Sequence, residues 1–381
     1  MAVVQYLHSH INGSAVAFLL LGTIAFFCIR RIVIQYQFAK KHGCKPIARS
    51  FSKDPFLGLD TLPTTLRALR DHRMLDTAWK NYHIYGNTYR LKELDKNLIL
   101  TIEPENIKTI LSLNFNDYGI SHRLEAFKPL LGQGIFTTDG DHWAASRAII
   151  RPSFNRDQVA DLAAFERLFQ DLLPLLPRDG MTDVDLQPLF FCYTIDSATE
   201  FLFGRSAGTL KTTGSEHEFA QAFHRAQQAI VTRGTLGPLR YFWKNRDAEE
   251  CNRLCRDFAQ QYVNEAFNAV SDEKEKEFGD EAPKYVFAHE LASRTSDSVR
   301  VLDELMNVLV AGRDTTASLL SNMFFVLAKN PGIWEKLRRE VSSLDGRPPT
   351  YEELRNLEYV QHCINECKYT FKTPIHDVHV D

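Results

Sequence analysis

Apolar residues recur at steps of three and four along residues 302–329, at Leu302, Leu305, Leu309, Leu319, Met323 and Leu327. That period predicts one long helix with a core-facing stripe. Asn330-Pro331 ends it, because the residue before a proline is pushed out of the helical region. The stripe is interrupted by Ala311-Gly312-Arg313-Asp314-Thr315-Thr316. Gly312 costs about 1 kcal/mol against alanine in a helix interior, and threonine hydroxyls bond back to the carbonyl four residues earlier and bend a helix. Two readings stay open: a core helix with a packing glycine, or a helix opened so that a ligand approaches its backbone.

The same patterning divides the rest of the chain. Residues 11–29 form a charge-free run of 19, about the length that crosses a bilayer core as a helix. Arg30, Arg31, Lys40 and Lys41 follow it, which predicts a lumenal amino terminus and a cytosolic bulk. A cleaved signal peptide fits less well, since neither a charged leading region nor a small-residue cleavage site is present. Residues 40–55, with Gly43, Pro46 and Pro55, read as a linker. Alternation over 85–91 and 97–102 predicts two strands, and Glu103-Pro104 opens a short helix. In 131–154, two glycines precede Asp141, a plausible N-cap, and a helix from His142 carries Trp143 and Arg147 four apart on one face. Helices are further predicted over 156–176, 186–204, 216–233 and 247–269, after Pro331 to 343, over 351–354 and from Tyr359. The loop 234–244 sets Leu236, Leu239, Tyr241, Phe242 and Trp243 beside Arg240 and Lys244, which suits contact with a membrane interface or plain packing. Residues 271–284 are a polar surface linker. The sum is a mainly α fold with a small β-sheet.

Composition narrows the function classes. The chain has 381 residues, is 44% hydrophobic and carries a net charge of −3 with both signs interspersed, so no basic face for nucleic acid is expected. Its seven cysteines are scattered. Cys251/Cys255 and Cys363/Cys367 lack the turns and histidines of a zinc module, so free thiols are expected. His376 and His379 sit on a short polar tail and are read as tail, not as a metal site. Trp143 and Arg147 are both pure donors and suit a carboxylate pair, although an ordinary aromatic–Arg contact has the same spacing.

The AGRDTT hexapeptide resembles the oxygen-binding groove in the I helix of the haem-thiolate monooxygenases, the cytochromes P-450. Its form is most similar to the fungal branch that hydroxylates n-alkanes and fatty acids. The GIFTTDGDHWAASR block and the phrase Asp54-Pro55-Phe56-Leu57-Gly58-Leu59-Asp60 resemble the same branch, and the likeness runs from about Asp54 to Glu366. It implies haem b as cofactor, with Trp143 and Arg147 on the propionates and Ala311, Gly312 and Thr315 lining the haem. Asp314 and Thr315 become the catalytic proton-relay pair, and Phe136 lines the substrate pocket. The implied partners are NADPH-cytochrome P-450 reductase, membrane lipid and a long-chain alkane or fatty acid. The implied location is the endoplasmic reticulum membrane, single-pass, with the domain cytosolic.

The resemblance weakens beyond Glu366. There the family has a buried Glu-x-x-Arg ion pair; Glu366 is in place as the structural carboxylate, but Tyr369 stands where the arginine belongs. Removing one partner of a buried pair costs about 3–5 kcal/mol. Residues 367–381 show no clear period, and no cysteine sits in a Phe-x-x-Gly-x-Arg-x-Cys-x-Gly loop, so the axial ligand is absent. The expectation is an incomplete P-450 fold, lacking the haem-cysteine loop, the L helix and the last strands. Its divisions are 1–31 anchor, 32–62 linker, 63–366 truncated domain and 367–381 tail. It is expected to be inactive; the alternatives are a non-catalytic membrane-anchored remnant that binds lipid or reductase, or an incomplete gene model.

Overall fold

In a computed structural model, residues 13–54, 56–94, 96–154, 162–211, 215–275 and 285–370 are described. Helix α1 (Gly13–His42) is continuous over 30 residues, about 45 Å at 1.5 Å per residue. Within Phe18–His42 an 18-residue window reaches mean hydropathy 1.8, and none of that window is buried. The sequence reading placed a linker from residue 32. The helix instead continues through Ile32, Val33, Ile34 and Phe38, because nothing opposes helical geometry until Gly43. That glycine takes φ +65°, and Cys44 N–H closes the end on the Ala39 carbonyl at 2.9 Å.

A small sheet follows, built from β1 (Ala48–Arg49), β2 (Thr88–Glu93) and β3 (Lys96–Thr101), with α2 (Leu62–Arg70) and α3 (Met74–Tyr85) between the first two. β1 runs parallel to β2, and β2 pairs antiparallel with β3, Thr88 opposite Thr101 and Glu93 opposite Lys96. The strand expected to start at Tyr85 starts at Thr88. Tyr85 still belongs to α3, and Gly86 at φ +92° turns the chain out of it. Two-residue β1 is too short to show a period and was not anticipated.

The remaining chain is helical: α4 (Pro104–Lys108), α5 (Leu124–Leu131), α6 (Gly140–Ile150), α7 (Leu162–Leu172), α8 (Leu186–Phe203), α9 (Ser215–Leu236), α10 (Arg246–Glu275), α11 (Phe287–Arg294), α12 (Ser298–Lys329), α13 (Pro331–Val341), α14 (Tyr351–Asn356) and α15 (Glu358–Thr370). Local signals explain most ends. Asp185 and Asp297 cap α8 and α12 through Gln187 N–H and Arg300 N–H, and Thr350 with Glu353 forms a capping box on α14. The N-cap of α6 is Asp139, not Asp141. Even so, the Asp139 carboxylate is used elsewhere, accepting Ile120 N–H at 2.8 Å and Ser121 N–H at 2.6 Å. The loop expected at 234–244 is shorter: α9 extends to Leu236 and a 3₁₀ turn covers Gly237–Tyr241, leaving Tyr241 and Phe242 exposed.

The core is the packing of α12 on α8, joined by α9, α10 and α11. Leu305, Met306 and Leu309 of α12 meet Ile195 and Leu202 of α8, Phe223 of α9, Val263 of α10 and Leu291 of α11 in one buried cluster. Phe203 stacks on Tyr262 at 4.4 Å and Phe219 on Phe258 at 3.9 Å, so aromatic pairs fasten α8 and α9 to α10.

The carboxyl-terminal expectations change. α15 runs through Cys367, which is buried, to Thr370, so the first part of the supposed tail is helix. Glu366 lies on its exposed face, and the cost of an unpaired buried carboxylate does not arise. The acid that does anchor α15 is Glu340 of α13. Its carboxylate accepts Tyr359 N–H and Val360 N–H, both at 2.9 Å, at the end of the helix dipole where an anion is favoured. The start of the expected 156–176 helix, part of the 271–284 linker, and His376 and His379 lie outside the described residues.

Candidate functional site

The interrupted stripe of α12 borders a cavity of about 750 Å³, within the roughly 300–1,000 Å³ of small-molecule sites. Val308, Ala311, Gly312, Thr316 and Leu320 form one wall, spaced to share a helix face. Leu168 and Phe165 of α7, Ala198 and Phe201 of α8, Phe154 and Tyr285 close the rest. Gly312 serves both readings drawn from sequence. It lines the cavity, and a Cβ there would meet Ala198 Cβ at 3.4 Å, so the glycine also lets α8 approach α12.

Ala311 and Gly312 therefore share a cavity, but Asp314 and Thr315 do not line it. Thr316 is the threonine that does. Thr315 is exposed, and its hydroxyl donates to the Ala311 carbonyl at 2.7 Å, the back-bond the sequence suggested. Asp314 turns towards α9. It pairs with Arg313 at 2.8 Å and accepts from Gln227 Nε2. Arg313 is buried; its guanidinium lies 4.4 Å from the Phe191 ring centroid and 5.6 Å from that of Phe223, and donates to Gln227 Oε1 at 2.8 Å. Burial pulls its pKa down and the Asp314 carboxylate opposes that. The sequence reading missed both Arg313 and Gln227. A charged residue inside an apolar stripe was the available signal for the first; nothing local marked the second.

Trp143 and Arg147 do share a face of α6, with the guanidinium 5.6 Å from the indole centroid, and Phe115 lies 5.4 Å from the same indole. Arg147 is exposed. Neither residue lines the cavity. The adjoining face of α6 faces α12, where Arg300 donates to Ser146 Oγ at 3.3 Å. Phe136 is 40% exposed, on a loop whose backbone is bonded to α12; its N–H donates to Asn307 Oδ1 at 3.0 Å. Asp303, Glu304 and Asn307, all buried, make this attachment, and none was singled out from sequence. Burial raises the Glu304 carboxyl pKa, against bonds from Ser146 and Ile135 N–H that lower it.

The match to known proteins decides the family. The family model "Cytochrome P450" covers residues 62–367. The chain belongs to the cytochrome P450 family. It is similar to the cytochrome P450 monooxygenase himC of Aspergillus japonicus, 45% identical over 329 residues, 85% of this chain and 59% of that protein. Cytochrome P450 monooxygenase FPY7 of Fusarium mangiferae is 41% identical over 87% of this chain and 65% of its own length. Cytochrome P450 52A7 of Candida tropicalis is 39% identical over 86% and 66%. The chain thus spans roughly three fifths to two thirds of the curated relatives it matches.

P450 membership implies haem. The fit to that group is incomplete among the described residues. A cavity lies beside Ala311 and Gly312, but the Trp143–Arg147 donor pair does not border it. No cysteine lines the cavity, however, and no cluster of metal-ligating side chains exists among the described residues. Cys251, Cys255 and Cys367 are buried, and Cys28 and Cys44 are exposed in and just after α1. Desolvation raises the pKa of the Cys192, Cys251, Cys255, Cys363 and Cys367 thiols, which disfavours the thiolate a metal requires.

Proposed function

We propose that this chain carries the membrane anchor and the cavity-forming helices of a P450 hydroxylase of long-chain alkanes or fatty acids. α1 holds it in the endoplasmic reticulum membrane with the domain on the cytosolic side, as the basic residues after the apolar run favour. Trp143 and Arg147 would hold the haem propionates, Ala311 and Gly312 would form the wall against the haem, and Phe136 would border the substrate. Asp314 and Thr315 are the acid and hydroxyl pair for proton delivery, with Asp314 held by Arg313 and Gln227 in the geometry described. Haem, if bound, would supply the oxygen-activating chemistry, and electrons would come from NADPH through the reductase.

The 381-residue polypeptide itself binds a long apolar chain but does not hydroxylate it. The observation that carries this is that no described thiol reaches the cavity. The test is a carbon monoxide difference spectrum of this chain, purified in detergent and supplied with haemin. No band of a thiolate-ligated haem is expected; its appearance overturns the reading.

A further inference from the structure

A second cavity, of about 430 Å³, shares no lining residue with the one beside α12. Its floor is one face of the β2–β3 hairpin. The opposed pairs Tyr89–Leu100, Leu91–Leu98 and Glu93–Lys96 all line it, because alternate residues of a strand point to the same side. That face is graded along its length: a tyrosine and three leucines give way to an acid opposite a lysine. Thr64 of α2, Asn81 of α3 and Thr235 of α9 are among the residues that close the cavity over this floor.

The charged end of the floor is held in place by the chain entering α2. Thr61 Oγ1 donates to the Lys92 carbonyl at 3.1 Å, and a Cβ at Gly58 would stand 2.2 Å from the same carbonyl oxygen, so that only glycine admits so close an approach. At the hairpin tip, Leu94 is buried at φ +51° and lines the cavity. Left-handed backbone is disfavoured for a leucine, and asparagine or glycine is the ordinary choice in so tight a turn. The leucine is explained by the wall it forms and not by the turn it occupies. The charged lining residues are Asp60, Glu93 and Lys96, two acids against one base. Asp60 already accepts Ser52 Oγ at 2.6 Å and Lys53 N–H at 2.8 Å. A ligand carboxylate or phosphate would meet like charge here, whereas a hydroxyl can donate to a carboxylate and accept from a lysine.

We propose that this cavity is a lipid site separate from the one beside α12, taking an uncharged single-chain amphiphile with a hydroxyl head, such as a long-chain primary alcohol. The aliphatic chain lies over Leu91, Leu98 and Leu100, and the hydroxyl meets Glu93 and Lys96. The assignment does not depend on what the cavity beside α12 holds.

The experiment uses the full chain in phosphatidylcholine nanodiscs, with hexadecanol and hexadecanoic acid each carrying a photoreactive diazirine in the chain. After illumination, labelled peptides are mapped by mass spectrometry. At about pH 9, where the acid is ionised, the alcohol is expected to label residues 74–101 saturably and at least fivefold more than the acid does. Leu98→Trp fills the floor and should cut that labelling at least fivefold, while any labelling of α12 stays unchanged. Glu93→Gln removes an acid from the head-group end and should narrow the alcohol-to-acid ratio. Should Leu98→Trp not fold, Thr64→Phe blocks the cavity from α2 and is read on the same scale. Labelling of 74–101 that neither blocking variant reduces, or that the acid matches in the wild-type chain, overturns the proposal. Labelling confined to α7, α8 and α12 also overturns it, while leaving the reading of that cavity intact.

Discussion

Arg313 shows how one residue in a recognisable hexapeptide acquires a use that spacing does not reveal. Its guanidinium is sandwiched by Phe191 and Phe223 and neutralised by Asp314, so a cation sits inside the apolar stripe without being stranded. Asp314→Ala leaves that cation buried without its carboxylate. A loss of about 2 kcal/mol is expected, below the roughly 3–5 kcal/mol of a fully buried pair because Asp314 remains partly solvated. Combining it with Arg313→Leu should recover part of the loss, since the uncompensated charge is then gone. Chemical denaturation of the single and double variants checks the sign; a double variant no more stable than Asp314→Ala alone would contradict it. The same residues were legible from sequence only as a motif. Gln227, 87 positions from Asp314, completes the group and could not be found by local pattern.

At the scale of elements, the sequence reading placed the helices well where an apolar stripe and an end signal coincided. α12 stops at Pro331 as expected, and α8 ends at Gly204, which adopts φ +79°. A Cβ on Gly204 would also come within 2.9 Å of Val286 Cγ2. Gly204→Ala is therefore expected to cost about 1–3 kcal/mol, seen as a lower midpoint in thermal or denaturant unfolding; an unchanged midpoint would show that the turn relaxes freely. Ends without such signals moved. α1 outran its expected limit because residues 32–42 contain no breaker, whereas α9 runs through Gly234 and ends only where Gly237-Pro238 follows Leu236. α15 extends into a stretch with no visible period because its anchorage is tertiary: Glu340, on another helix, satisfies its first amides.

Over the whole molecule, one apolar helix projects from a helical domain whose surface also exposes Leu239, Tyr241 and Phe242. Full-length chain in microsomes should resist alkaline carbonate extraction, and protease added outside sealed microsomes should digest the domain. Removing residues 1–42 should convert it to extractable protein. Retention after that deletion would mean that the exposed aromatic turn, and not α1, provides the main attachment.

By itself the sequence determined the class of fold, the long apolar helix near the amino terminus and the P450 family, because periodicity, charge-free length and contiguous motifs are local properties of a chain. Only tertiary structure decided that Ala311, Gly312 and Thr316 face one cavity while Asp314 turns to α9, that Glu366 is exposed, and that Asp303, Glu304 and Asn307 hold the Phe136 loop. The Asp314 and loop contacts join groups 87 to 171 residues apart in the chain. Such meetings are fixed by where buried polar atoms find partners, a condition that no stretch of sequence satisfies alone.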